Sequence, residues 1–301
     1  MKGVLLALLT AVISGVAIYY SKISVAKIPP LILTTSRNFF VGALFFLMFI
    51  FDRRIGEIRK LKRRELIRLI FIGIIGGALP FYLFFTGLQF IPAIKANLIH
   101  KTLFIWVTVL GVFFLKERLN FSYIFAFILI GVANFYFGNL KVGFGKGELM
   151  IFSATVLWSL ETIIAKKILK SVSSDIVGLF RMGIGGILLL AAVFITGKGS
   201  AFMSFNVNQV TTIVIGGAIL FFYVFTWYRA LKYAPAGLAT LILTFSVVVG
   251  NILNGSFAGI KLVPQDIYTT LLIGSAVSII LFSYVIPNLF WNLFKHNEML
   301  K

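Results

Sequence analysis

The chain has no cysteine, only nine acidic residues and only two histidines among its 301 residues. Without cysteine there is neither a disulfide nor a thiolate nucleophile or ligand. The acids form no pair inside any apolar run, and His100 and His296 are far apart in sequence. Paired-carboxylate and metal chemistry therefore lack their usual residues, which disfavours an intramembrane enzyme such as a prenyl or acyl transferase. No Gly-x-x-x-x-Gly-Lys stretch is present, so ATP-driven pumping has no support in this chain.

What the chain has is apolar surface. It is 60% hydrophobic and 12% charged, with a mean hydropathy of +1.03. A soluble domain of this length could not cover so much of it. Ten apolar runs are each long enough to cross a bilayer core: 3–20, 31–51, 66–88, 93–115, 121–139, 147–165, 176–196, 210–231, 236–260 and 267–290. The first run has no small-residue cleavage site and matches a later one, so a retained helix is expected rather than a signal peptide. The connections are too short for a separate soluble domain.

The net charge of +19 is unevenly distributed. With a cytoplasmic N-terminus, 18 of the 28 basic residues fall on inside segments, eight on outside segments, and Arg37 and Arg181 at span entrances. That bias supports the assumed orientation. The basic cluster Arg53–Arg68 suits an anionic inner leaflet. Nucleic-acid binding is disfavoured, since no interleaved aromatics or binding module accompany it.

Lys22 and Arg37 recur as Lys166 and Arg181, 144 residues on. Gly73, Pro92, Ala93 and Gly131 recur as Gly216, Pro235, Ala236 and Gly274, 143 residues on. Five spans per copy is an odd number, so the second copy enters from the opposite face. The expected fold is an all-α integral membrane protein. Its ten transmembrane helices form two inverted five-helix repeats, residues 1–142 and 143–301, with both termini cytoplasmic. Such mirrored halves exchange outward-open and inward-open states. Pro92 and Pro235 each open a helix after a tight hairpin, where no amide donor is needed. No proline stands near Leu103 or Ser246 to kink spans 4 and 9.

Several stretches carry a family resemblance: Ala230–Ala236 (Ala-Leu-Lys-Tyr-x-x-Ala), its weaker copy Gly87–Ala93, Leu115-Lys116-Glu117-Arg118-Leu119, Trp158-Ser159 with Lys166, and the two arginines. Together they resemble the EamA-type branch of the drug/metabolite transporter superfamily over nearly the whole chain. The resemblance implies a central cavity lined by spans 1, 3, 4, 6, 8 and 9, alternating access, and movement of small metabolites.

Ionisable residues inside spans are functional candidates because burial in the bilayer is costly. Glu161 is the only acid well inside a span; it reads as a proton-linked or cation-attracting carboxylate, or as a salt-bridge partner of Lys166 or Lys167. His100 and Lys101 fall about 10–12 Å below the outer end of span 4 by helical rise. Lys101 is expected to meet a substrate carboxylate or phosphate, or else to pair with Glu161. Tyr19, Tyr82, Trp106, Trp158, Tyr223 and Trp227 offer rings with polar handles. Asn97, Thr102, Thr244, Asn251 and Asn254 offer neutral hydrogen bonds to solute or between helices. Arg37, Arg181, Lys22, Lys166, Pro92 and Pro235 read as scaffold, the arginines bound to loop carbonyls or helix ends. Glu117 reads as a loop ion-pair residue between Lys116 and Arg118.

The expected function is secondary transport of small organic metabolites, amino acids or other zwitterions and anions among them, across the cytoplasmic membrane. Export of amphipathic compounds or drugs is the alternative. The expected partners are a small-molecule substrate, protons as candidate coupling ion, and the anionic inner leaflet. No cofactor, metal or nucleic acid is expected, and the assembly is a monomer or weak homodimer.

Overall fold

The apolar runs emerge as helices in a computed structural model of the protein. It describes all residues except 120, 134–144, 203, 258, 260 and 299–301, with side chains as far as 283. α1 (Lys2–Val25) and α2 (Pro30–Phe51) form the first hairpin, and the short α3 (Ile55–Arg59) follows. α4 (Arg63–Ile72) runs through a π-helical turn, Gly73–Ala78, into α5 (Leu79–Phe90). α6 (Ala93–Lys101), α7 (Leu103–Leu110) and a second π-helical turn, Gly111–Leu115, make the fourth span; α8 (Phe121–Val132) begins the fifth. α9 (Lys146–Ile168), α10 (Ser174–Ile195) and α11 (Val207–Tyr233) are continuous. α12 (Ala236–Leu243) and α13 (Ser246–Phe257) share one span, and α14 (Pro264–Glu298) is the last helix.

Among the described residues nine helical segments are long and apolar enough to cross a membrane; the tenth, Phe121–Val132, is shorter as described. The repeat boundary expected near residue 142 lies outside the described residues.

Local chemistry sets the helix ends. Pro30 opens α2, where a missing amide hydrogen costs nothing. Asn206 and Gln209 cap α11 reciprocally, each side chain accepting from the other's backbone amide at 2.9 and 3.2 Å. The two hairpins end on lysine. Lys22 Nζ donates to the carbonyls of Leu88 and Ile91 at 2.6 and 3.0 Å. Lys166 Nζ donates to those of Leu231 and Ala234 at 2.6 and 2.7 Å, 143 residues further on. A helix end leaves its last carbonyls without amide partners, and a half-buried ammonium satisfies two of them at once.

Spans 4 and 9 break even without proline. Thr102 separates α6 from α7, and Thr244 ends α12. Each hydroxyl donates to the carbonyl three residues earlier, Ile99 at 2.8 Å and Leu241 at 2.6 Å, a local bond that competes with the helix ladder. Asn97 and Ser246 join the two breaks, Asn97 Nδ2 donating to the Ser246 carbonyl at 3.2 Å.

α2 packs on α10, α1 on α11, α5 on α9, and α7 on α12, so residues before 134 interlock throughout with residues after 144. Small residues allow the closest crossings, as expected where lipid offers no hydrophobic drive between helices. Gly77 and Gly185 meet main chain to main chain: a Cβ on Gly185 would enter the Gly77 backbone, and one on Gly77 would enter the Arg181 carbonyl.

Candidate functional site

A central cavity lies between α1, α2, α5, α6, α7, α9, α10 and α11. Its polar lining includes Ser14, Ser21, Arg37, His100, Glu161, Thr162, Arg181 and Tyr223; its apolar wall includes Phe81, Phe84, Phe85, Trp158 and Trp227. Its volume is about 70 Å³.

The π-helical turn shapes one wall. Widening the helix at Gly73–Ala78 leaves two carbonyls free for side chains. The Gly76 carbonyl accepts from Trp158 Nε1 at 2.9 Å and from Arg181 Nε at 3.1 Å. Asn38 Nδ2 donates to the Gly77 carbonyl at 2.5 Å. A side chain at Gly76 would collide with Glu161. The cluster Gly73-Ile-Ile-Gly-Gly was the sequence signal for this turn, though glycine spacing cannot distinguish it from ordinary close packing.

Aromatic rings orient the cationic groups. Arg181 lies 5.5 Å from the Phe81 ring and 5.7 Å from that of Tyr228. Arg37 lies 5.7 Å from Tyr20 and 5.6 Å from Phe85, and donates to Ser21 Oγ at 3.2 Å and Ser24 Oγ at 2.6 Å. Trp158 meets Phe81, Phe84 and His100 at centroid separations of 5.3, 5.5 and 4.9 Å. Tyr228 donates its hydroxyl hydrogen to Glu161 Oε1 at 2.6 Å.

The structure brings together His100, Trp158, Glu161, Tyr223 and Trp227 on the cavity wall. Lys101 stands one layer back, donating to Ser14 Oγ at 3.1 Å; Ser14 itself lines the cavity. Tyr82 and Trp106 are elsewhere, 36% and 38% exposed, with Trp106 edge-on to Phe152. Tyr19 is absent from the cavity wall. Asn97 serves the span-4 and span-9 breaks, Thr244 bonds within its own helix, and Asn254 donates to the Gly250 carbonyl at 2.7 Å. Asn251 donates to Thr270 Oγ1 at 2.9 Å.

Three expectations are corrected by this geometry. Arg37 and Arg181 are turned into the cavity instead of being held at loops or helix ends, because both sit two turns inside their helices. Glu161 pairs with neither Lys166, Lys167 nor Lys101 among the described ion pairs; Tyr228 binds it, and Lys166 is held by hairpin carbonyls. Among the described ion pairs Glu117 has no part. Lys116 adopts a left-handed conformation, φ 56°, and the turn carries Glu117 onto the α12 N-terminus. There its carboxylate accepts from the amides of Ala236 at 2.6 Å and Gly237 at 3.0 Å, with the helix dipole favouring the negative charge. Pro235 supplies the preceding position, which has no amide hydrogen.

The described ion pairs stand at helix ends. Asp175 joins Arg54 at 2.9 Å and Arg229 at 2.6 Å, and Arg54 also holds Glu57 at 2.7 Å. The Arg54 hydrogen bond keeps the Glu57 carboxyl below the usual carboxylate range. Lys95 and Glu148 meet at 2.5 Å between the first turns of α6 and α9.

The uncharacterized transporter YoaV of Bacillus subtilis (strain 168) is 24% identical over 242 residues, 76% of this chain and 79% of that protein. A solved crystal structure with 16% sequence identity superposes with a TM-score of 0.73, covering 92% of this chain and 94% of that one, which shows a shared fold. The EamA-like transporter family matches residues 1–137 and 145–282. The chain is therefore a membrane transporter and belongs to the EamA-like transporter family.

Proposed function

We propose that this protein is a secondary transporter that moves small organic metabolites across the cytoplasmic membrane by alternating access through the central cavity. The carrying observation is that cavity: a space of about 70 Å³ deep in the helical bundle, walled by Arg37, Arg181, Glu161 and His100. Charged side chains at that depth are costly unless a solute, water or partner meets them. The moving bodies are two inverted five-helix repeats, residues 1–142 and 143–301, with both termini cytoplasmic. Support comes from the two stretches of the family match, the parallel bonds of Lys22 and Lys166, and the bias of basic residues. Glu161, held by Tyr228, is the candidate proton carrier if a proton gradient drives the cycle.

The aromatic wall formed by Phe81, Phe84, Phe85, Trp158 and Trp227 favours a second reading, export of amphipathic compounds. Small metabolites come first because the same wall carries Arg37, Arg181, Glu161 and His100.

Purified protein in proteoliposomes separates these readings. A saturable flux or counterflow of a small metabolite is expected. No flux across a broad panel of metabolites and amphipathic compounds would remove the transporter assignment for this cavity.

A further inference from the structure

We propose that Arg37 and Arg181 together form a carboxylate-binding site in the central cavity, one guanidinium from each half of the chain. The proposal rests on the transporter reading above and names the substrate class. Both arginines line the cavity, and both are almost fully buried, at 2% and 3% exposure. Among the described ion pairs neither has a carboxylate partner. Their bonds go to neutral acceptors, and each keeps a buried nitrogen without any partner: Nε of Arg37 and Nη1 of Arg181.

Arg37, taken out of water and given only hydroxyls, is short of an anion; Arg181 has the Glu161 carboxylate as its one anionic neighbour, so the two guanidiniums together outnumber it. The planar guanidinium fork matches a carboxylate, and the flanking rings hold that plane in place before any solute arrives. Formal charge selects the anion further. Two guanidinium groups and the single Glu161 carboxylate leave one positive charge on the wall, which a monocarboxylate neutralises. A phosphate ester carries close to two negative charges near neutrality and would exceed it. The solute's carbon skeleton then faces Phe84 and Trp158. Each arginine is the eighth residue of its helix, counted from Pro30 and from Ser174. On the inverted-repeat reading above, the two helices run in opposite directions and the arginines reach equal depth, about 10 Å, from opposite faces by helical rise. One guanidinium can then stay with the anion whichever face is open.

The test is a thermal-shift screen of the detergent-purified protein. The probes are short monocarboxylates and amino acids at millimolar concentration, each beside its primary amide, with glycerol phosphate as the dianion. A ligand that binds only the folded state raises its melting temperature. The expected result is that at least one carboxylate stabilises the protein and its amide does not. That shift disappears in Arg37→Gln and in Arg181→Gln. Should either variant fail to fold, the corresponding Lys variant keeps the charge and loses the fork; the half-saturating concentration then rises about tenfold, the loss of one hydrogen bond. Equal shifts from acid and amide, no shift from any carboxylate, a response to glycerol phosphate alone, or a carboxylate shift untouched by substitution at either arginine would overturn the site. Neutral-solute flux without carboxylate binding removes the anion site and leaves the transporter; carboxylate binding without any flux does the reverse.

Discussion

Tyr228 on α11 donates a 2.6 Å hydrogen bond to Glu161 on α9, a buried acid that also stands beside Arg181. None of the described ion pairs includes Glu161, so its proton can change without breaking one of them. Glu161→Gln is expected to abolish the dependence of net flux on a pH gradient while leaving solute exchange intact. Flux at matched solute gradients, with and without a pH difference, checks it; undiminished proton coupling in that variant would take the role away from Glu161. Tyr228→Phe should retain coupling and lose about 1.5–3 kcal/mol of stability, the range for a hydrogen bond to a charged group.

Lys22 and Lys166 each satisfy two hairpin carbonyls. Replacing either by Met removes the donors and strands both acceptors, at a cost of about 1–3 kcal/mol. The two sites share no partners, so the effects should add in the double variant. Melting temperatures of the four proteins in one detergent decide this. A double variant no worse than the singles would contradict independent hairpin locks.

The crossing of Gly77 and Gly185 is expected to be intolerant of any side chain. A Cβ on Gly77 would enter the main chain of α10, whereas one on Gly131 meets nothing within 4 Å. Gly77→Ala should therefore express as little folded protein, and Gly131→Ala should match the parent in size-exclusion yield. Equal yields would mean that α10 and the π-helical turn can part at little cost.

Glu57 and Arg54 give a pH-dependent contact at the helix ends. Arg54 lowers the Glu57 pKa below its ordinary value of 4.5, so the stabilisation is present above that value and is lost as pH falls through the lowered one. The pair is partly exposed, which makes the effect small. Glu57→Gln should lower the melting temperature slightly at neutral pH, and the gap to the parent should close on acidification. A gap that widens in acid would reverse the sign and exclude this contact as its source.

Much of the fold was legible because its signals are local. Runs of about 20 apolar residues set the helices, and proline set the hairpins. The offsets of 144 and 143 picked out Lys22 and Lys166, which make matching bonds. The cavity was legible only in part. His100, Trp158, Glu161, Tyr223 and Trp227 were recognisable as polar or aromatic residues in spans that line it. Lys101, Tyr82 and Trp106 carried the same kind of signal, yet helix rotation directs them elsewhere. Recurrence suggested scaffold for Arg37 and Arg181, because repeated residues often are; here recurrence also places two guanidiniums on one cavity.

Composition and periodicity alone determine that this chain lives in a membrane as helices, that residues recur at offsets of 144 and 143, and that thiol chemistry and an ATP loop are absent. Those properties follow from each residue's own solvent preference and from spacing along the chain. Only the tertiary structure decides which charges face one another. Helix rotation, the π-helical turn at Gly73–Ala78 and the turn at Lys116 redirect side chains by amounts that hydropathy does not encode. Glu117 thus reaches the α12 amides, and Arg181 reaches the Gly76 carbonyl, through contacts between segments about 100 residues apart or more.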